Sequence, residues 1–474
     1  MCRTEKIAIA ERLLRRPGTR VFFCGIGGAG MNALAHLLAR SGLLVSGADI
    51  AEQKSLSALR AAGISCAVGH DPRLVDDAEL FVYSSAIAPD NPQRERAEAR
   101  GIPCIRRGEL LAMLVNQRRG VTVAATHGKT TTAALTAVLF AAGGLDPSAV
   151  IGGDVPEFGG YFRYGGSEWI VVETDESDGS FELLTSEIGL MLNIDADHLD
   201  FYSSEEEIEA AFARYAAHIR REGVLIYNGD DAKVARVAGG AAHVTTRVAC
   251  ALENETEVRA GEIELRPWSS AFTVTIGKER FRVTLGIPGR HNVSNALHAI
   301  AAARQVGIAT EVIQEVCASF RGVRRRMERV GSFRGALVID DYAHHPREIA
   351  ATLAAVRQLG RPLIVVFQPH RYTRTAALLE EFVSVLASEE RVIITEVYSA
   401  GEPPGPVTGV TLWEAVRQHT PGAVFAPTLE AIKPALQRLV GEGDVIVFLG
   451  AGSISQVAHE VVESVEEVAC PHAT

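Results

Sequence analysis

No stretch of the sequence is long and apolar enough for a transmembrane span. The N-terminus also lacks the apolar core of a signal peptide, so neither a membrane partner nor export is expected. Cysteine is sparse. The seven cysteines are an odd number, scattered with no pair at metal-ligand spacing, and this argues for reduced thiols in a cytoplasmic protein. Positive charge is short as well: the net charge of −11 leaves no basis for non-specific nucleic-acid binding, so phosphate ligands must be handled by local loops. Lysine is the scarcest basic residue, with six (6, 54, 129, 233, 278 and 433) among 47. A lysine where arginine is the rule marks a need for a compact ammonium. What is present is a chain of 474 residues, 47% hydrophobic, which is enough for about three domains of 100–200 residues each.

One of the six lysines sits in Ala124-Ala125-Thr126-His127-Gly128-Lys129-Thr130-Thr131-Thr132. The β-branched run Val121-Thr122-Val123 before it reads as a strand, and the alanine-rich Ala133 to Ala142 after it reads as a helix. Strand, tight turn and helix form the context of a phosphate loop. There the backbone N–H groups from Thr126 through Thr131 wrap a polyphosphate, Lys129 reaches its outer phosphates, and the Thr130 hydroxyl ligates magnesium. Val123 stands where the full phosphate-loop pattern has its first glycine.

Upstream, the strand Arg20 to Cys24 runs into Gly25-Ile26-Gly27-Gly28-Ala29-Gly30 and a helix, Met31 to Arg40. A second strand, Leu43 to Ser46, and Asp49 follow. Gly25, Gly27 and Gly30, with Gly28 between them, let backbone approach a diphosphate, and Asp49 lies where a dinucleotide site keeps its acid. The pattern does not commit that diphosphate to a nicotinamide cofactor. Leu80 to Ile87 reads as a further buried strand, with Ser84 and Ser85 at its polar end. Strands alternating with helices predict a parallel, doubly wound sheet with ligands at its C-terminal strand ends.

Past the phosphate loop, Trp169 to Glu173 is a buried strand tipped by an acid, a usual place to hold magnesium. The strand Ile188 to Ile194 leads to Asp197-His198-Leu199-Asp200, which reads either as a second metal position or as an exposed acidic turn. Ser203 to Arg220 reads as an acidic, solvated helix, and Ile263 to Leu285 as a small antiparallel addition. Asn292 and Asn295 follow, about one helical turn apart. After the basic cluster Arg324-Arg325-Arg326, strands and helices cycle again, including a helix over Arg374 to Ala387. Polar residues crowd two strand ends: Tyr342 and His344 follow one, and His370, Arg371 and Arg374 follow the other. Packing alone does not account for such groups, which need partners if buried.

Together the motifs at 25–31, 83–87, 126–132, 175–181, 197–200, 291–296, 340–346 and 367–375 resemble those of the Mur ligase family, over nearly the whole chain. The resemblance implies three α/β domains. These are a Rossmann-like domain over 1–118 for a UDP-sugar, a central P-loop ATPase-type domain over 119–321, and a Rossmann-like domain over 322–474 for an amino acid. Many relatives that add later amino acids carry a carbamylated lysine in the central domain. No lysine lies between Lys129 and Lys233 here, which fits the branch joining L-alanine to the lactyl carboxylate of UDP-N-acetylmuramate. ATP and Mg2+ are the implied cofactors, the metal held by Thr130, Glu173 and His198, with Asn292, Asn295 and Arg326 in the nucleotide site. Gly25 to Gly30, Asp49, Ser84 and Ser85 would serve the sugar nucleotide, and Tyr342, His344, His370, Arg371 and Arg374 the amino acid. The state would be a monomer or a homodimer. A recycling ligase that adds a whole peptide to the same sugar nucleotide is the alternative. Two positions depart from the family pattern: Ala125 replaces a loop glycine and Ser453 an aspartate.

Overall fold

The computed structural model describes residues 3–174, 179–195, 202 and 204–469, and three sheets with helices on their faces make up its α/β architecture. Two compact units divide the chain: Met1–Ile263 with Phe272–Leu285 and Asn292–Arg321, and Glu264–Ala271 with Gly286–His291 and Gly322–Thr474. Among the described residues no helix is long and apolar enough to cross a membrane.

The first sheet of the first unit contains β1 (Arg20–Cys24), β2 (Leu44–Asp49), β3 (Ser65–Val68), β4 (Leu80–Tyr83) and β5 (Cys104–Arg106). Its order is β3-β2-β1-β4-β5, all parallel. Strand order reverses at β1, so the glycine loop after β1 and the serines after β4 open at the switch point, where such sheets bind ligands. The expected strand at 80–87 stops at Tyr83, because Ser84 onward turns out to solvent.

The second sheet runs through β6 (Arg119–Ala124), β7 (Ser148–Val155), β8 (Gly160–Arg163), β9 (Trp169–Glu173), β10 (Ser186–Met191), β11 (Ile219–Asn228), β12 (Thr246–Ala251), β13 (Val258–Arg266), β14 (Ser269–Ile276) and β15 (Glu279–Leu285). Its order is β15-β14-β13-β12-β11-β10-β6-β9-β7-β8. The β-rich stretch expected as a small antiparallel addition forms the edge of this sheet, reached through the parallel pair β12 and β13. The acidic helix is shorter than expected, Glu205–Ala217, because Ile219 already begins β11. Its Ile208, Phe212 and Tyr215 are buried, and its glutamates lead the first turn, where the helix dipole favours them.

Asn292, Asn295 and His298 belong to the helix Arg290–Gln305. His298 is 1% exposed, its Nδ1 lies 2.7 Å from the Ser294 carbonyl, and burial lowers its pKa to about 4. The unfolded imidazole, near 6.5, therefore takes up a proton over a range where the folded one stays neutral. Stability must fall as pH drops from 6.5 toward 4, by up to about 3 kcal/mol from this group. The thermal midpoint of a His298→Gln variant should fall less steeply between pH 7 and pH 4.5 than that of the parent. Parallel midpoint curves would contradict this.

The second unit holds β16 (Glu328–Phe333), β17 (Ala336–Asp341), β18 (Leu363–Phe367), β19 (Val392–Thr395), β20 (Val424–Ala426) and β21 (Val445–Leu449), ordered β16-β17-β21-β18-β19-β20. All pairs are parallel except β16 with β17. Since β17 and β18 both flank β21, the segments after all three strands emerge at one edge. The single helix expected over 374–387 is two, Tyr372–Ala377 and Leu379–Leu386. The break at Leu378 lets the second helix bury Phe382 and Leu386 in the core.

Candidate active site

Parallel pairing of β6 with β9 on one side and β10 on the other aims three strand ends at the loop Ala125–Gly128. The helix Lys129–Ala142 starts there with Gly128 as its N-cap at φ 84°, a conformation open to glycine without strain. A β-carbon on Gly128 would also come within 2.5 Å of the Asn295 side chain, so Asn295 stands directly over the loop. Lys129 Nζ donates to the carbonyls of Ala125 (2.5 Å) and Thr126 (3.1 Å), which holds the ammonium at the loop mouth. His127 Nε2 lies 3.3 Å from the Asp195 carboxylate. Thr130 and Thr131 fill the first helical turn.

Ala125 is fully buried and is not among the non-glycine residues with positive φ, so a glycine there has no conformational task. Ala125→Gly should lower stability by roughly 0.4–1 kcal/mol through unfolded-chain entropy and leave the ATP KM unchanged. Tighter ATP use by the variant would overturn this.

Glu173 ends β9, and among the described residues its Oε2 is buried without a hydrogen-bond partner. Gly152 on β7 cradles it: a β-carbon there would fall 1.8 Å from Glu173 Oε1. A buried, unpartnered carboxylate oxygen beside a phosphate loop suits a divalent cation. His198, with Asp197 and Asp200, lies outside the described residues.

In the N-terminal loop Asp49 ends β2 and is 7% exposed. Its carboxylate accepts the N–H of Gly27 (2.8 Å) and of Ile50 (2.8 Å), so it shapes the glycine loop. Gly28 caps the helix Ala29–Arg40, and the Arg107 guanidinium stands beside Gly30, close enough that a β-carbon there would meet it at 3.2 Å. Arg107 escaped sequence reasoning because its proximity to Gly30 spans 77 positions. Ser84 Oγ accepts from Ala86 N–H, and Ser85 is exposed.

The second unit brings its two predicted clusters together. His344 packs edge-on to Tyr342 at 5.5 Å and to His370 at 5.6 Å, and His370 stacks on Tyr398 at 5.6 Å. Arg374, 9% exposed, places Nη1 3.3 Å from His370 Nδ1. An arginine can only donate, so that nitrogen carries the lone pair and the proton of a neutral His370 sits on Nε2. Arg371 takes φ 68°, and its N–H donates to the Tyr398 carbonyl, so it caps the short helix that carries Arg374. Arg326 lies over the Tyr342 ring at 4.9 Å. Asp341 is buried with its pKa raised to about 6, mainly by desolvation, and its carboxylate accepts the N–H groups of Met327 and Ala343. Tyr398 was not foreseen; it follows β19, and only the fold sets its ring against His370.

The chain as a whole matches known proteins. Three family models match in order: the Mur ligase family catalytic domain over residues 20–119, the Mur ligase middle domain over 123–303, and the Mur ligase glutamate ligase domain over 325–452. A UDP-N-acetylmuramate–L-alanine ligase of Aquifex aeolicus is 40% identical over 456 residues, 96% of this chain and 99% of its own. The solved UDP-N-acetylmuramate-alanine ligase MurC of Thermotoga maritima superposes with a TM-score of 0.82 at 26% identity, over 95% of this chain and 99% of that one. A murein peptide ligase from Psychrobacter arcticus shares the fold, with a TM-score of 0.72 at 23% identity over 94% and 98%. Three models of one family matched in order along the chain, with a relative 40% identical over 96% of it, show that the chain belongs to the Mur ligase family.

Proposed function

We propose that this protein joins L-alanine to the lactyl carboxylate of UDP-N-acetylmuramate, with ATP converted to ADP and phosphate, as a step in peptidoglycan precursor synthesis. The observation that carries this reading is the 40% identity, across 96% of the chain, to a ligase named for that reaction. The murein peptide ligase matches more weakly, and the whole-peptide alternative is not favoured.

In this reading a lactyl carboxylate oxygen attacks the γ-phosphorus and ADP leaves, giving an acyl phosphate. The alanine amine then attacks the acyl carbon, the amine gives up a proton, and phosphate departs. Phosphoryl transfer needs charge neutralisation more than covalent help. Lys129 and the loop N–H groups from Thr126 through Thr131 would supply it, and Asn292, Asn295 and Arg326 would belong to the nucleotide site. Thr130, Glu173 and His198 would hold Mg2+, and the buried, unpartnered Glu173 Oε2 fits that role. When bound, the ion would screen the charge of the β- and γ-phosphates. The segments 1–118, 119–321 and 322–474 would serve the UDP-sugar, ATP and the amino acid in turn, with the Gly25–Gly30 loop on the uridine diphosphate. The reaction would take place in the cytoplasm.

For the amino acid, the Arg374 fork suits a carboxylate, and His370, His344 and Tyr342 would orient the amine beside it. The test is phosphate release with UDP-N-acetylmuramate and either L-alanine or a tripeptide. Release with L-alanine is expected, and Arg374→Lys should raise the KM for L-alanine about tenfold or more while those for ATP and the sugar nucleotide hold. Release with the tripeptide alone would overturn the reading, and equal KM changes for all three substrates would overturn the role of Arg374.

A further inference from the structure

The phosphate loop departs from glycine at two positions, Val123 and Ala125, yet its main chain is held in place from outside. β10 runs parallel beside β6 with Met191 opposite Ala124, and the pairing continues past both strands. Leu192 N–H donates to the Ala124 carbonyl at 3.1 Å, and Thr126 N–H donates to the Asn193 carbonyl at 3.1 Å. The loop then turns away, and a side chain takes over from the main chain. Asn193 Oδ1 accepts the N–H of His127 at 2.7 Å, while its Nδ2 donates to the carbonyl of the same residue at 2.9 Å. Asp195 N–H closes the grip by donating to Thr126 Oγ1 at 2.9 Å. We infer that Asn193 is a positioning residue for ATP, its carboxamide extending the sheet's hydrogen bonding by one residue into the phosphate loop.

The chemistry of the side chain is matched to this task. A carboxamide offers an acceptor oxygen and a donor nitrogen, and the main chain of one residue presents one N–H and one C=O. Aspartate keeps the acceptor and loses the donor. Leucine has nearly the same shape and neither group. His127 immediately precedes Gly128 and Lys129, so tilting its peptide turns the N–H groups at the helix start and the root of the ammonium. A shift well under the length of a hydrogen bond is enough to weaken phosphate binding, because donors must already point at the charge they stabilise.

The inference rests on the reading of this loop as the ATP site, so calorimetric titration of the parent protein with ATP comes first. No ATP binding by the parent would overturn that reading and this inference with it. Given binding, Asn193→Leu and Asn193→Asp are titrated the same way and assayed for each substrate. Asn193→Leu should weaken ATP binding and raise the ATP KM about tenfold or more, with the L-alanine KM within about twofold and the thermal midpoint within a few degrees. Asn193→Asp should fall between it and the parent, and it serves alone should the leucine variant not fold. ATP affinity equal to the parent's in a folded variant would overturn the inference, and so would an equal rise in all three KM values with a lowered midpoint, the mark of general structural damage.

Discussion

Replacing Lys129 with alanine is expected to lower turnover about a thousandfold while the protein stays folded. Removing one preorganised donor to developing charge in a water-poor site costs on the order of 10²–10³ in rate, and a full positive charge on a transferring phosphoryl group belongs at the upper end. Two opposing effects bear on stability. Lys129 gives up its bonds to the carbonyls of Ala125 and Thr126, both buried residues, a loss of about 1 kcal/mol. Against that, a cation on the first residue of a helix is disfavoured by the dipole, by roughly 0.3–1 kcal/mol, and the substitution relieves it. The two nearly cancel, so the thermal midpoint should move by no more than a few degrees. Phosphate release followed under saturating substrates, beside a melting curve, separates the effects. Near-normal turnover in a folded variant would remove Lys129 from the chemistry.

Gly152→Ala is expected to cut turnover about tenfold to a hundredfold and to raise the magnesium concentration needed for half-maximal rate, again without unfolding the protein. The new β-carbon would lie 1.8 Å from Glu173 Oε1 and 2.7 Å from its Cδ, far inside contact distance. Something must move, and the carboxylate is the free end of a flexible side chain, whereas the backbone of β7 is anchored to β9 just before Gly152, through Ser148, Ala149 and Val150. Glu173 therefore swings away at little cost in stability. Unlike Glu173→Gln, this change keeps the charge and alters only its position. An unchanged magnesium dependence would show that the position of the Glu173 carboxylate does not matter to metal use.

Two strands buried on both faces were legible to the residue. Trp169–Glu173 and Leu363–Phe367 have the bounds their apolar runs predict, because a parallel strand covered on both sides leaves no alternation to misread. Ends that dissolve into polar loops were less legible: the strand at 80 stops at Tyr83, and the helix after Arg371 splits at Leu378 to seat Phe382. The phosphate loop could be read from its spacing, since glycine, lysine and threonine at a strand-to-helix turn perform local chemistry that neighbours in the chain supply.

By itself, the sequence determined the α/β class, the order of the motifs and the family, because apolar periodicity and short loop motifs are properties of consecutive residues. Only the tertiary structure decided which distant groups meet. It set Gly152 under Glu173, Asn193 against His127, Arg107 beside Gly30 and Tyr398 on His370. An apolar run records that a strand is buried without recording which strand lies beside it. Strand order is chosen by long-range packing and handed crossovers, and hydrogen-bond partners follow from that order.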